Sequence, residues 1–221
     1  MAQPNPKDTV VVLDLDDTIY KEADYQASGL TEVCRWLEAL YGISITAELD
    51  ELRESGENDL LAGLCRLAGL PVSVKESLLW VYRLHQPAIN ISAKDSDFLK
   101  NLEIRCQVAV LTDGRSISQR LKLKSLGLSH LPVYISEEHG SEKPSPVRFE
   151  LIMRNNPAAH YFYIGDNPKK DFIAPNNLGW TTVCLRDDGR NIHRQDLTKL
   201  SPNQLPNHWI NSLHEFLTLL C

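Results

Sequence analysis

Short apolar runs recur along the chain, separated by segments whose apolar residues fall at helical spacing. The first run, Thr9–Leu13, reads Thr-Val-Val-Val-Leu with no polar alternation, the pattern of a strand buried on both faces. Similar runs occupy residues 106–112, 161–165 and 180–185, and a weaker one residues 132–135. Between the later runs, Ile117, Leu121, Lys124 and Leu128 lie three or four apart, with Gly127 late in the pattern where helices commonly stop. Ser145-Pro146 followed by Phe149, Ile152 and Met153 predicts a helix with a Ser cap and Pro at its first position. Strand–helix alternation of this kind implies a parallel sheet covered on both faces. A closing amphipathic helix is expected over residues 209–220.

The stretch between Thr18 and Cys106 is different. It runs to nearly ninety residues without a convincing strand, whereas a single βαβ crossover takes about 30. Leu30, Val33, Leu37, Leu40 and Tyr41 form one helical stripe, stopped by Gly42. Asp59, Leu60, Leu64, Leu67 and Ala68 form a second, ended by Gly69 and Pro71, and Val74, Leu78, Leu79 and Tyr82 a third. Residues 21–87 are therefore expected to be an inserted helical subdomain. Residues 92–102 become the core helix that precedes the second strand. Residues 1–20 and 88–221 would then form one Rossmann-like α/β core.

Composition narrows the function classes. A chain of 221 residues with 43% hydrophobic content can bury one ordinary core. The net charge of -6 argues against a nucleic-acid surface, which concentrates Lys and Arg. Cys34, Cys65, Cys106, Cys184 and Cys221 are scattered and never form C-x-x-C, which argues against a disulfide framework or a zinc site. The seven histidines show no H-x-H or H-x-x-x-H spacing. The N-terminus is polar and no apolar run is long enough to span a bilayer, so a cytoplasmic protein without a membrane partner is expected.

The polar residues at the strand ends carry the chemistry. Asp14, Asp16 and Asp17 follow the first strand; Thr112, Asp113 and Gly114 end the second. Lys143 follows the weak third, and Asp166, with Asp171 five residues on, ends the fourth. Ligands of open α/β sheets bind outside the carboxyl ends of the strands, where a parallel arrangement gathers all four clusters. Three acids at a strand end repel one another, and a divalent cation resolves the conflict. The chemistry this implies is phosphoryl transfer through an aspartyl phosphate. Asp14 attacks phosphorus, and Asp16 protonates the leaving oxygen and later activates water. Mg²⁺ held by Asp14 and Asp166 would offset the repulsion between nucleophile and phosphate. Lys143, the Thr112 hydroxyl and the N–H groups of Leu15 and Asp113 would hold phosphate oxygens, and Gly114 allows a close approach.

In this order, Asp14-Leu15-Asp16-Asp17-Thr18, Leu111-Thr112-Asp113-Gly114, Lys143 and Gly165-Asp166-Asn167-Pro168-Lys169-Lys170-Asp171 resemble the four motifs of the haloacid dehalogenase superfamily, most of whose members are phosphatases. The resemblance covers roughly residues 8–20 and 92–190. It implies Asp14 as nucleophile and metal ligand, and Asp16 as general acid/base whose carbonyl also touches metal. Asp166 would be a metal ligand, with Asp171 as ligand or support. The insert matches the helical cap of members that act on small substrates, with Tyr20, Glu22, Tyr25 and Arg53 as candidate substrate contacts. A Mg²⁺-dependent phosphatase acting on a sugar phosphate or nucleotide monophosphate is the leading expectation. A phosphomutase and a silent regulatory module are the alternatives. Asp16 argues against a dehalogenase, which has no alkoxide to protonate. Asp113 reads more readily as a turn residue, Asp17 as structural, and Lys169 and Lys170 as a solvated face. His139 and His193 read as exposed loop residues, and Trp36, Trp80, Trp180 and Trp209 as packing. Oligomeric state is left open.

Overall fold

The computed structural model describes residues 8–220; the polar N-terminus (residues 1–7) and Cys221 lie outside the described residues. The chain divides into two compact units. One comprises the chain up to Ala23 and from Asn90 onward, and the other Asp24–Ile89.

Among the described residues of the first unit, six parallel strands form one sheet. They are β1 (Thr9–Leu13), β2 (Gln107–Thr112), β3 (Val133–Ile135), β4 (His160–Gly165), β5 (Thr181–Leu185) and β6 (His208–Ile210), in the order β3-β2-β1-β4-β5-β6. β1 is central and all of its residues are buried, as its unalternated apolar sequence demands. Val11 pairs with Val108 on one side and Phe162 on the other. The five expected strands are each found within one residue of their expected limits. β6 was not expected: residues 209–220 form the end of this strand and a 3-10 helix, Leu213–Leu220, instead of one amphipathic α-helix. The free edge of β5 explains the difference, because Cys184 pairs with Trp209 and completes the sheet.

The second unit is helical. It contains α1 (Glu22–Tyr41, which starts in the first unit), α2 (Thr46–Glu54), α3 (Leu60–Leu67) and α4 (Lys75–Leu84). Its core joins Leu30, Val33 and Leu37 of α1 to Leu49 of α2, Leu61 and Leu64 of α3 and Leu78 of α4. Asp59 caps α3 by accepting from the N–H of Ala62 at 3.1 Å. α2 was missed by pattern reading, since it buries only Leu49. Leu40, Tyr41 and Leu67, which belong to the expected stripes, are exposed, and so are Trp36 and Trp80, expected as packing residues. Each of these two tryptophans carries an arginine over its ring, Arg35 and Arg83.

Back in the first unit, α5 (Ala93–Arg105), α6 (Ser116–Ser125), α7 (Ser136–His139), α8 (Val147–Asn155) and α9 (Ile173–Asn177) connect the strands. Phe162 and Tyr163 are successive residues of β4 and so point to opposite faces. Phe162 meets Phe216, which in turn meets Phe98 of α5; Tyr163 meets Phe149 of α8 at 5.1 Å. Both faces are therefore covered. Ser92 caps α5, accepting from the N–H of Asp95 at 3.1 Å. α8 starts at Val147, with Pro146 rather than Ser145 at the cap position. Cys34, Cys65, Cys106 and Cys184 are buried free thiols. No helix among the described residues is long and apolar enough to cross a membrane.

Candidate active site

Asp14 is the first residue beyond β1. Its N–H still donates to the Ile164 carbonyl at 2.8 Å, after which the chain turns so sharply that the N–H of Ile19 reaches the Leu15 carbonyl at 3.0 Å. Asp17 takes a φ of 55° in this turn, a left-handed conformation that Asp tolerates better than most residues. Its carboxylate accepts from the N–H groups of Glu22 and Ile192, each at 2.9 Å. Turn formation accounts for Asp17.

A cleft of ≈ 120 Å³ brings together Asp14, Asp16, Thr112, Asp113, Lys143 and Asp166. Its position, outside the carboxyl ends of β1, β2 and β4, is where an open parallel sheet binds ligands. Glu22, Lys170 and His193 also line it. Leu15, Tyr20, Gly114 and Asp171 are not among its lining residues. The N–H of Leu15 donates to Asp14 Oδ1 at 2.9 Å. The tyrosine hydroxyl of Tyr20 donates to Asp16 Oδ1. At Gly114, whose φ is 141°, the close approach is made by Gln119, 3.1 Å from where a Cβ would stand. Tyr25 belongs to the helical unit, where it is buried beside Tyr82 (5.5 Å) and His85 (5.1 Å). Arg53 is exposed beside Asp50.

Lys143 is the electrostatic centre. Its Nζ lies 2.8 Å from Asp14 Oδ2 and 2.8 Å from Asp171 Oδ1, and donates to the Tyr163 hydroxyl at 3.1 Å. Burial opposes its charge, but Asp14 and Asp171 hold it protonated well above the ordinary lysine range. Gly165 makes room for this group: a Cβ there would stand 2.7 Å from Asp171 Oδ2. Burial pushes Asp14 up to about 6, with Lys143 opposing the shift and Asp171 adding to it. Burial and the neighbouring Asp171, Asp14 and Asp17 push Asp166 up to about 9.

Oxygens of Asp14, Asp166 and Asp171 lie within 4.8 Å of one another. Three buried acid side chains converge there, an oxygen-rich set of donors that a hard cation fits. Asn191 donates to Asp166 Oδ2 at 3.0 Å, and Gln195 to the Asp166 carbonyl at 2.7 Å, so the loop after β5 buttresses this acid. Lys21 binds two residues of the same loop, Asn191 (2.8 Å) and Asp188 (2.9 Å).

Several functional neighbours were missed. Arg148 is fully buried on α8, donates to the Thr112 carbonyl at 2.8 Å and pairs with Asp113. Asp113 is thus an ion-pair centre as well as a turn residue. Burial raises its carboxyl, but Lys143, Lys170 and Arg148 hold it below the usual carboxylate range. Lys170, expected on a solvated face, reaches Asp113 Oδ2 at 3.4 Å. His139 stacks on Tyr134 at 6.0 Å. Asp16 is held by Lys122 (2.7 Å) and Gln119 (2.9 Å), two residues of α6 that apolar spacing passed over. Burial raises the Asp16 carboxyl, but the charge of Lys122 and the hydrogen bonds around it bring it below the ordinary aspartate value.

Solved structures similar to this chain share its fold at low identity. A protein described as a HAD-hydrolase, YfnB of Bacillus subtilis, solved with magnesium bound, has a TM-score of 0.65 at 18% identity, covering 96% of this chain and 98% of its own. A predicted phosphoglycolate phosphatase of Haemophilus somnus gives 0.64 at 15%, covering 97% and 99%. A 2-haloacid dehalogenase of Pseudomonas syringae gives 0.65 at 18%, covering 96% and 97%. Sequence comparison with curated proteins gave no match. The family model of haloacid dehalogenase-like hydrolases matches residues 9–179. With that match over most of its length, the chain belongs to the haloacid dehalogenase-like hydrolases.

Proposed function

We propose that the protein is a Mg²⁺-dependent phosphatase of small phosphorylated metabolites, a sugar phosphate or nucleotide monophosphate, working through an aspartyl phosphate on Asp14. The observation that carries this reading is Asp16, a second acid on the wall of the cleft that holds Asp14, Thr112, Lys143 and Asp166. A leaving halide needs no proton, whereas the alkoxide of a phosphoester does. The relatives of similar fold include phosphatases and dehalogenases, and a second acid beside the nucleophile favours the former chemistry.

In the first half-reaction an Asp14 oxygen bonds to phosphorus, the bond from phosphorus to the leaving oxygen breaks, and Asp16 gives that oxygen its proton. In the second, water bonds to phosphorus, its proton passes to Asp16, and the bond to Asp14 breaks to release phosphate. Lys143 and the Thr112 hydroxyl bind phosphoryl oxygens in both. Asp14 and Asp166, with Asp171 beside them and the Asp16 carbonyl as a further ligand, would hold Mg²⁺, which supplies positive charge against the nucleophile–phosphate repulsion. The helical unit is inserted in the chain between Asp16 and Thr112.

The test is phosphate release from a panel of sugar phosphates and nucleotide monophosphates, with Mg²⁺ and with chelator. Chelator-sensitive release from a subset supports the proposal. Isomerised product without release points to a phosphomutase, and inactivity across the panel to a silent module.

A further inference from the structure

α6 does not bury the stripe its apolar residues define. Ile117 is 57% exposed, while Gln119 and Lys122 are buried. Both reach one carboxylate. Lys122 Nζ lies 2.7 Å from Asp16 Oδ1, and Gln119 Nε2 donates to Asp16 Oδ2 at 2.9 Å. The Tyr20 hydroxyl also donates to Oδ1. Oδ1 thus receives two donors, one of them charged, and Oδ2 receives one neutral donor. Gln119 also donates to the Thr112 hydroxyl at 2.6 Å, which ties the two polar walls of the cleft together.

Stability gives little reason for this arrangement. A buried ion pair is often no better than well-packed apolar side chains of similar volume, and each ion taken from water costs several kcal/mol. The geometry asks for a role in what Asp16 does.

We propose that Lys122 and Gln119 are positioning residues for Asp16: they fix its carboxylate in one orientation and reserve Oδ2 as the atom through which it exchanges a proton. This inference rests on the phosphatase reading above. When water bonds to phosphorus and the bond to Asp14 breaks, the water proton passes to Oδ2, and the displaced phosphate leaves. Lys122 and Gln119 fix the orientation of the carboxyl group that receives that proton. With p-nitrophenyl phosphate the leaving phenolate departs without a proton, so Asp16 is needed in the second half-reaction alone.

This gives a test that separates positioning from a structural role. Steady-state kinetics with p-nitrophenyl phosphate and Mg²⁺ would be measured for the wild type, Lys122→Met, Lys122→Arg and Gln119→Leu, with thermal unfolding followed in parallel. Lys122→Met should lower kcat by about tenfold or more. Its kcat/KM, which reports phosphorylation of Asp14, should stay within about threefold, so that KM falls with kcat. Lys122→Arg should recover most of kcat. Gln119→Leu, which removes the neutral donor to Oδ2 together with the bond to the Thr112 hydroxyl, should lower kcat more weakly, and its kcat decides the matter if Lys122→Met does not fold. An unchanged kcat, or parallel losses in kcat and kcat/KM that arginine does not repair, overturns the inference while leaving the phosphatase reading intact. A wild type that releases no phenolate, or that Asp14→Asn matches in rate, overturns both.

Discussion

Lys143 and Asp14 form a buried ion pair, with Nζ 2.8 Å from Oδ2, at the point where the central strand meets the loop after β3. Asp171 shares the same ammonium at 2.8 Å. Removing the lysine would leave two buried carboxylates facing each other. Lys143→Met should therefore destabilise the metal-free protein by about 3–5 kcal/mol, the usual cost of an orphaned buried charge. Urea unfolding without and with Mg²⁺ checks this, and Mg²⁺ should recover part of the loss. A change below about 1 kcal/mol would contradict the ion-pair account.

Protons and metal compete for the same oxygens. Burial and neighbouring acids push Asp166 up to about 9, and burial pushes Asp14 up to about 6. Asp166 in the metal-free protein is accordingly protonated near neutral pH, and a cation must displace that proton. Mg²⁺ affinity should rise with pH through this range, by at most about tenfold per unit. Calorimetric titrations in two buffers of different ionisation enthalpy should show net proton release. No release would mean that the cation binds elsewhere.

Glu22 lines the cleft, and its carboxyl is pushed up to about 7, first by burial and then by Asp16 and Asp17. The folded state therefore binds this proton more tightly than the unfolded chain. The associated stability is present below the ordinary value of 4.5 and is lost as pH rises to about 7. Glu22→Gln should match the wild type below that window and exceed it by about 3 kcal/mol above it. Denaturant midpoints at both ends of the range measure the difference; a pH-independent gap would refute the assignment.

Asp17 couples the turn after β1 to the loop after β5 through its bond to the Ile192 N–H. Asp17→Ala loses that bond and the one from the Glu22 N–H and keeps the left-handed backbone, at a combined cost of about 3 kcal/mol. Asp17→Gly removes the strain but not the loss of these bonds. Amide exchange at Ile192 should accelerate in both variants, and unchanged exchange would show that the loop is held by its other contacts, those of Lys21, Asn191 and Gln195.

Much of this arrangement is legible in sequence because its determinants are local. The unbroken Thr-Val-Val-Val-Leu run can satisfy itself only between two other strands, and β1 lies there. The acids that follow it must then fall at the sheet's carboxyl edge. What the sequence hides is polar burial with a distant partner. Gln119 and Lys122 are inward on α6 because Asp16, more than a hundred residues away, accepts from them; apolar periodicity chose Ile117 and Leu121 instead. Arg148 is hidden for the same reason, being buried beside Phe149 because Asp113 and the Thr112 and Tyr134 carbonyls receive it. β6 spans three residues, too few for a period to show, and exists because β5 offers an edge.

The central claim is that Asp14 carries the phosphoryl group. Rapid acid quench of the enzyme during turnover of a radiolabelled phosphomonoester with Mg²⁺, followed by peptide mapping, tests it most directly. The account predicts label on the peptide that contains Asp14, retained in acid, discharged by base and hydroxylamine as an acyl phosphate, and absent from Asp14→Asn. Steady turnover with no label on that peptide, or label that persists in Asp14→Asn, would contradict it.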